Sequence, residues 1–362
     1  MDTKELFAKR LKQARLKAGL SMDALSVKTG KEVSKQTISK YEAGKTMAGS
    51  EILVKLSKAL GVHVDYFFRP YSFDVSEVEI SFRKKASVGA KEQTVLKINI
   101  QDEVERFIDI ENILGIKSQM PIVNVPAKIE HPLQMIMLAK EVRRLWDLGN
   151  SPIPSVKNML VNHGIKVFEI EGPEGFDGIS GYAEGTIPLM VINSNMQNTE
   201  RRRFTHMHEL AHLLVNSSFD ENLSNHDKEK LCDAFASEML LPSDEIQSEF
   251  RGKTRIPVQE LIRVQKNYGI SIDAIVYSFK RLGIFNENRH RSYCIKKNSK
   301  PKFKTLVETS RYEEPSSGKN YDEDFYQELV YSALAQELIS ISKAAQMLNL
   351  STLEVEANSY AF

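Results

Sequence analysis

Two histidines four residues apart, with a glutamate directly after the first, constrain this chain more than any other stretch of it: His208-Glu209-Leu210-Ala211-His212. On a helix, residues i and i+4 lie one turn above each other on one face, so both imidazoles reach a single ion. Phe204, Leu210, Leu213 and Leu214 supply a core-facing side, which makes the segment an amphipathic helix lining a cleft. With Zn²⁺ bound at the open site, a water attacks a carbonyl while Glu209 takes its proton. A third protein ligand has to come from a neighbouring element. The helix expected over 227–241 offers Glu229 and Asp233 one turn apart, Glu229 as ligand and Asp233 as acceptor for the second ring N–H of one histidine. His226, just ahead of that helix, is the alternative third ligand. His206 points about 160° away from His208 on the helix and is read as a packed or rim residue. Cys232 reads as a small buried hydrophobe. Tyr182, Arg203 and His226 are equivalent candidates for an oxyanion donor. His131, His163 and His290 read as surface or structural.

The rest of the chain must supply the scaffold. At 362 residues it exceeds one typical core, and 41% hydrophobic with 27% charged residues is an ordinary globular balance. The first residues are charged from the second position onward, without the apolar stretch of a secretory signal, and no apolar run reaches membrane-spanning length. Two cysteines are too few for a disulfide framework. These features together predict a cytoplasmic protein without a membrane partner. The net charge of +1 hides an asymmetry: residues 1–70 carry +7, leaving −6 for everything after them. A basic head of this kind suits an anionic partner.

The head reads as four short helices. The first spans 2–18 and stops at Gly19; Ser21, Ser34 and Ser50 cap the next three, which end near Gly30, Gly44 and Gly61. Leu25, Val27, Val33 and Ile38 give the packing positions of two helices crossing at a turn, with Lys35, Gln36, Thr37 and Lys40 on the opposite surface. Gln pairs bidentately with adenine, and Lys reaches guanine or phosphate. Residues 4–68, with LKQARLKAGLS, QTISKYEAGK and LSKALGVHVDYFF, resemble the phage-repressor-like (Xre-type) helix-turn-helix domains. The resemblance implies double-stranded operator DNA as partner, with Lys35, Gln36 and Lys40 facing bases and Lys45 and Thr46 touching phosphates. It also implies an internal Arg15–Glu42 clamp and a homodimer on two-fold sites. Lys31 and Glu32 make the turn about two residues longer than that family's usual pattern.

A second resemblance covers residues 130–285. DGISGYAEGTIPLMVINSNMQNTERRRFTHMHELAHLL followed by EKLCDAFASEMLLP is similar to the ImmA/IrrE family of zinc metallopeptidases. It implies that His208, His212 and Glu229 bind zinc, that Glu209 is the general base, and that the substrate is a repressor-type regulator; a toxin/antitoxin-type partner and the chain's own linker near 115–130 are further candidate substrates. The strand at 187–193 is where edge pairing would dock it. Expected domains are 1–70 (helix-turn-helix), 71–129 (a strand at 74–82, a helix at 93–114 and a linker), 130–289 (peptidase) and 290–362 (helical extension). The fold class is multidomain and mainly α, with an α+β, zincin-like centre. The expected function is a DNA-binding regulator carrying an endopeptidase. The alternative is a non-proteolytic autorepressor or antitoxin-like protein whose zinc-site domain senses or docks.

Overall fold

The computed structural model describes residues 2–71, 89–116, 120–183, 186–313 and 321–359. They divide into two units, the first holding 2–71, 89–116 and 321–359 and the second 120–183 and 186–313. The architecture is mainly α with an α+β centre, as the sequence implies.

In the first unit α1 (Thr3–Lys17), α2 (Met22–Lys28), α3 (Lys35–Glu42) and α4 (Ser50–Leu60) enclose Phe7, Leu11, Leu25, Ile38, Leu56 and Phe67, none of which is exposed. Ser21 accepts the Ala24 N–H at 3.0 Å and Ser34 the Thr37 N–H at 3.2 Å, so both caps stand where expected. Ser50 does not cap: it is the first helical residue, and Gly49 occupies the cap position without a side-chain bond. The two extra turn residues are absorbed locally. Gly30 and Lys31 adopt successive left-handed conformations, φ +70 and +63, and the Lys31 N–H donates to the Ser26 carbonyl at 2.8 Å. The chain then re-enters at Ser34 in time to cap α3. Arg15 holds Glu42 through two bonds of 2.6 and 2.8 Å and donates a third to the Leu20 carbonyl, locking α1 to the end of α3.

α5 (Ala90–Leu114) joins this bundle through charge. Glu105, fully buried, accepts from Arg10 at 2.8 Å and Arg69 at 2.9 Å, and Asp102 meets Lys17. Its far end carries Ile110 into a second cluster with Tyr326, Leu329, Val330 and Ala333 of α15 (Tyr321–Ala335). α16 (Ile341–Leu348) and α17 (Thr352–Asn358) add Ala344, Ala345 and Val355 to it. They turn on Asn349 at φ +55, and a Ser351–Glu354 capping box starts α17. The segment expected as a C-terminal extension is therefore divided, and 321–359 belongs with the head. The expected strand at 74–82 and most of the polar segment 313–324 lie outside the described residues.

The second unit packs α6 (Pro132–Leu145), α8 (Thr199–Val215) and α9 (Asn225–Leu240) around Met135, Val142, Met207, Leu210, Phe235 and Met239. α7 (Val156–Asn162) leads into β1 (Lys166–Ile170), and α10 (Ser243–Phe250), α11 (Val258–Tyr268), α12 (Ile272–Arg281), α13 (Glu287–Ser299) and α14 (Pro301–Thr309) follow. The sheet has the order β1-β3-β2, with β3 (Ile187–Asn193) parallel to β1 and antiparallel to β2 (Gly178–Ala183). β3 is thus the central strand and its hydrogen bonds are taken on both sides. Edge docking at 187–193 is overturned for that reason; the strand lying along α8 with one side unpaired among the described residues is β2. No described helix is long and apolar enough to cross a membrane.

Candidate metal centre and reading helix

α8 begins where Asn198 accepts the Arg201 N–H at 2.8 Å, and it runs unbroken through the histidine motif. The spacing then acts as expected: the His208 and His212 Nε2 atoms lie 3.2 Å apart. α9 crosses beneath them and brings Glu229 into place, Oε2 at 3.2 Å from His208 Nε2 and Oε1 at 3.3 Å from His212 Nε2. A tetrahedral ion with bonds of about 2.0–2.1 Å separates its ligands by about 3.3–3.4 Å, so this donor triangle fits a Zn²⁺-sized cation. Asp233, one turn after Glu229, accepts the His208 Nδ1–H at 2.8 Å, which fixes the tautomer and turns Nε2 toward the triangle.

Electrostatics favour a cation here. Burial opposes charge on His208, but its hydrogen bonds to Asp233 and Glu229 and the nearby Glu209 carboxylate outweigh that and push the imidazole up to about 10. The same bonds from His208 and His212 hold the Glu229 carboxyl well below the usual carboxylate range. A metal ion would replace the proton shared among these groups. Cys232 Sγ also lies within 4.8 Å of ligand nitrogens on both histidines, but burial pushes the thiol well up, and the Glu229 oxygens come closer. His226 is exposed in the first turn of α9, outside this cluster. His206 is buried on the other side of α8, its Nδ1–H donating to the Arg202 carbonyl at 2.8 Å, and burial pushes it down to about 4.

Glu209 faces β2. Ser180 Oγ lies 2.9 Å from Glu209 Oε2 and 2.8 Å from the Glu209 carbonyl, so one hydroxyl serves both the side chain and the backbone of the residue after His208. The close approach of strand to helix depends on Gly178: a Cβ there would sit 3.0–3.2 Å from Ile192, Thr205 and Glu209 Cγ. Sequence reasoning missed both residues. The only signal was the run of small side chains in DGISGY, which permits a strand to lie against a helix.

Arg203 is not available as an oxyanion donor. It is 1% exposed, its guanidinium donates to the carbonyls of Pro154 at 3.1 Å, Gly269 at 3.3 Å and Ile153, and it stacks on Tyr312 with 4.6 Å to the ring centroid. Tyr182 donates its hydroxyl to the Leu213 carbonyl at 3.1 Å.

In the head, α3 presents Lys35, Gln36 and Lys40 to solvent, and Lys45 and Thr46 follow on the exposed turn. Lys35 is paired with Asp23 at 2.7 Å, and Thr37 is half-buried with Oγ1 2.9 Å from the capping Ser34 Oγ. Thr37 therefore helps close the helix start, while Gln36, Lys40, Lys45 and Thr46 are exposed on the surface and Lys35 is exposed but paired with Asp23.

Residues 11–67 match the family model described as helix-turn-helix, and residues 161–280 match that of the IrrE N-terminal-like domain, a peptidase family. The chain joins these two domains. The second match spans all three strands, the histidine helix and α9, so the donor triangle falls inside the IrrE N-terminal-like domain, and α3 falls inside the helix-turn-helix. No curated protein matches the chain.

Proposed function

We propose that this helix-turn-helix/IrrE-like protein is a DNA-binding regulator whose second unit is a zinc-dependent endopeptidase cleaving a regulatory protein, a repressor or a toxin/antitoxin-type partner. The observation that carries the reading is the triangle of His208, His212 and Glu229 with the Glu209 carboxylate beside it. A purely structural metal site has no use for that carboxylate. Zinc, when held by the three side chains, supplies Lewis acidity and a nucleophilic water at neutral pH. Glu209 accepts the proton of the attacking water and returns it to the departing amide nitrogen, and Ser180 keeps Oε2 oriented for both transfers. Asp233 holds the His208 ring in place. An extended substrate adds to the side of β2 that has no strand partner among the described residues.

In the head, Gln36, Lys35 and Lys40 read bases, Lys45 and Thr46 hold phosphates, Thr37 supports the helix start, and two copies engage a two-fold operator. Gln36→Ala should abolish sequence preference yet leave the salt dependence of DNA binding unchanged; a parallel loss on every sequence would place Gln36 on the backbone instead.

Metal analysis tests the centre. Purified protein should carry near one zinc per chain, and His208→Ala close to none. Pulldown with Glu209→Gln should retain a partner that wild type releases as fragments. Identical partner patterns from the two proteins would replace turnover with a docking or sensing role.

A further inference from the structure

The acidic body behind the basic head contains a second basic block. Residues 251–304 carry 14 Lys and Arg against 3 Asp and Glu, a net of +11, in a chain whose total is +1. The remainder outside this block and the head is accordingly strongly acidic.

The few carboxylates within reach are already engaged on other cations: Glu260 with Lys253, Asp273 with Lys297, Glu287 with Lys280, and Glu238 with Arg281. Of what is left over, Arg251, Arg255 and Lys266 are scattered over the stretch before α12, and the rest falls on α13, α14 and the residue between them. Arg291, Lys296, Lys300 and Lys302 are all exposed, and none has a carboxylate partner among the described residues. Concentrating this many unpaired cations on adjacent short helices costs self-repulsion, which a polyanion relieves. The described aromatics of these two helices are poor platforms for unstacked bases: Tyr293 is 8% exposed and its hydroxyl donates to Asp273 at 2.7 Å, and the half-buried Phe303 packs edge-on against it at 5.9 Å. Stiff duplex, with its dense and regular phosphate charge, suits exposed Lys and Arg without stacking. The same chain holds a helix-turn-helix domain, so a duplex engaged by the head is present near this unit at high effective concentration.

We propose that α13 and α14 form a second, sequence-independent DNA-backbone contact, separate from the reading helix, through Arg291, Lys296, Lys300 and Lys302. The IrrE-like unit is thereby held on DNA as well as tethered to a DNA-binding domain.

The test uses the full chain and a labelled random-sequence duplex of about three helical turns, titrated by anisotropy between 50 and 200 mM salt. Combined Arg291→Gln, Lys296→Gln, Lys300→Gln and Lys302→Gln should make the plot of log affinity against log salt shallower by about 3.6, at about 0.9 per lost phosphate contact. Over that salt range the wild type then loses on the order of 100-fold more affinity than the variant. Lysine-to-arginine exchange at 296, 300 and 302 should preserve the slope. A head variant, Gln36→Ala with Lys40→Gln, is measured alongside. If the head does not bind DNA, that variant changes nothing while the α13–α14 effect persists. An unchanged slope in the natively folded quadruple variant overturns the proposal, and so does a slope unchanged on DNA with binding of polyglutamate lost, which would assign the face to an acidic protein segment.

Discussion

Glu209→Gln should lower peptide-bond cleavage by about 10²–10⁴-fold while leaving the zinc content of the protein as it was. The two effects separate because the residue sits beside the donor triangle and not in it: the 3.2–3.3 Å contacts run only among His208, His212 and Glu229. Glutamine keeps the volume and still offers an oxygen to Ser180 Oγ, so the wall between α8 and β2 stays closed. What is lost is the ability to accept a proton. The partner captured by the trapping variant is the substrate for the measurement, and the loss should fall on kcat with little change in KM. Cleavage within tenfold of wild type, with zinc still bound, would remove Glu209 from the role of base.

Arg203→Ala should destabilise the second unit by about 4 kcal/mol, read as a shift of its urea or thermal midpoint. The guanidinium fills the space between α8, the turn at Ile153–Pro154 and the C-terminal end of α11, and it satisfies carbonyls in all of these places. Charged donors to buried carbonyls contribute more than neutral ones, and alanine leaves several acceptors unsatisfied at once. The fit is tight from the other side as well. Gly269 ends α11 at φ +63, and a Cβ added there would lie well inside contact distance of the Arg203 side chain. Gly269→Ala should therefore lower the midpoint in the same direction, through both crowding and a strained backbone. A shift below about 1 kcal/mol for Arg203→Ala would mean that water replaces the guanidinium without loss.

Much of this was legible in the residues because the relevant physics is local. The i, i+4 spacing of His208 and His212 dictates a shared helix face, and the Glu229–Asp233 spacing on the next helix dictates which carboxylate reaches the ion and which reaches the ring behind it. Caps at Ser21 and Ser34 mark helix starts by a single hydrogen bond, and they stand where the sequence puts them. What escaped depends on contacts between segments far apart in the chain. Ser180 is one unremarkable serine until β2 is laid against α8. Which strand is central cannot be read from an apolar run: IPLMVIN reads as a strand, and only pairing shows that both of its sides are filled. Arg203 looked like a cleft residue because it precedes the motif, yet five positions before His208 the helix turns it toward α11. The second basic block was present in the residue counts and vanished in the average over the acidic remainder.

The path of the chain has its own consequence. Polypeptide leaves the first unit after residue 116 and comes back to it at 321, so α15, α16 and α17 are built from the opposite end of the protein to the helices they pack on. One nick in the stretch 120–128, whether self-inflicted or made by another protease, would not set the head free. The two pieces would stay interlocked through Ile110, Tyr326, Leu329 and Val330, and would travel together until a denaturant pulled them apart. Separating the two units would need a further scission between residues 313 and 321 as well.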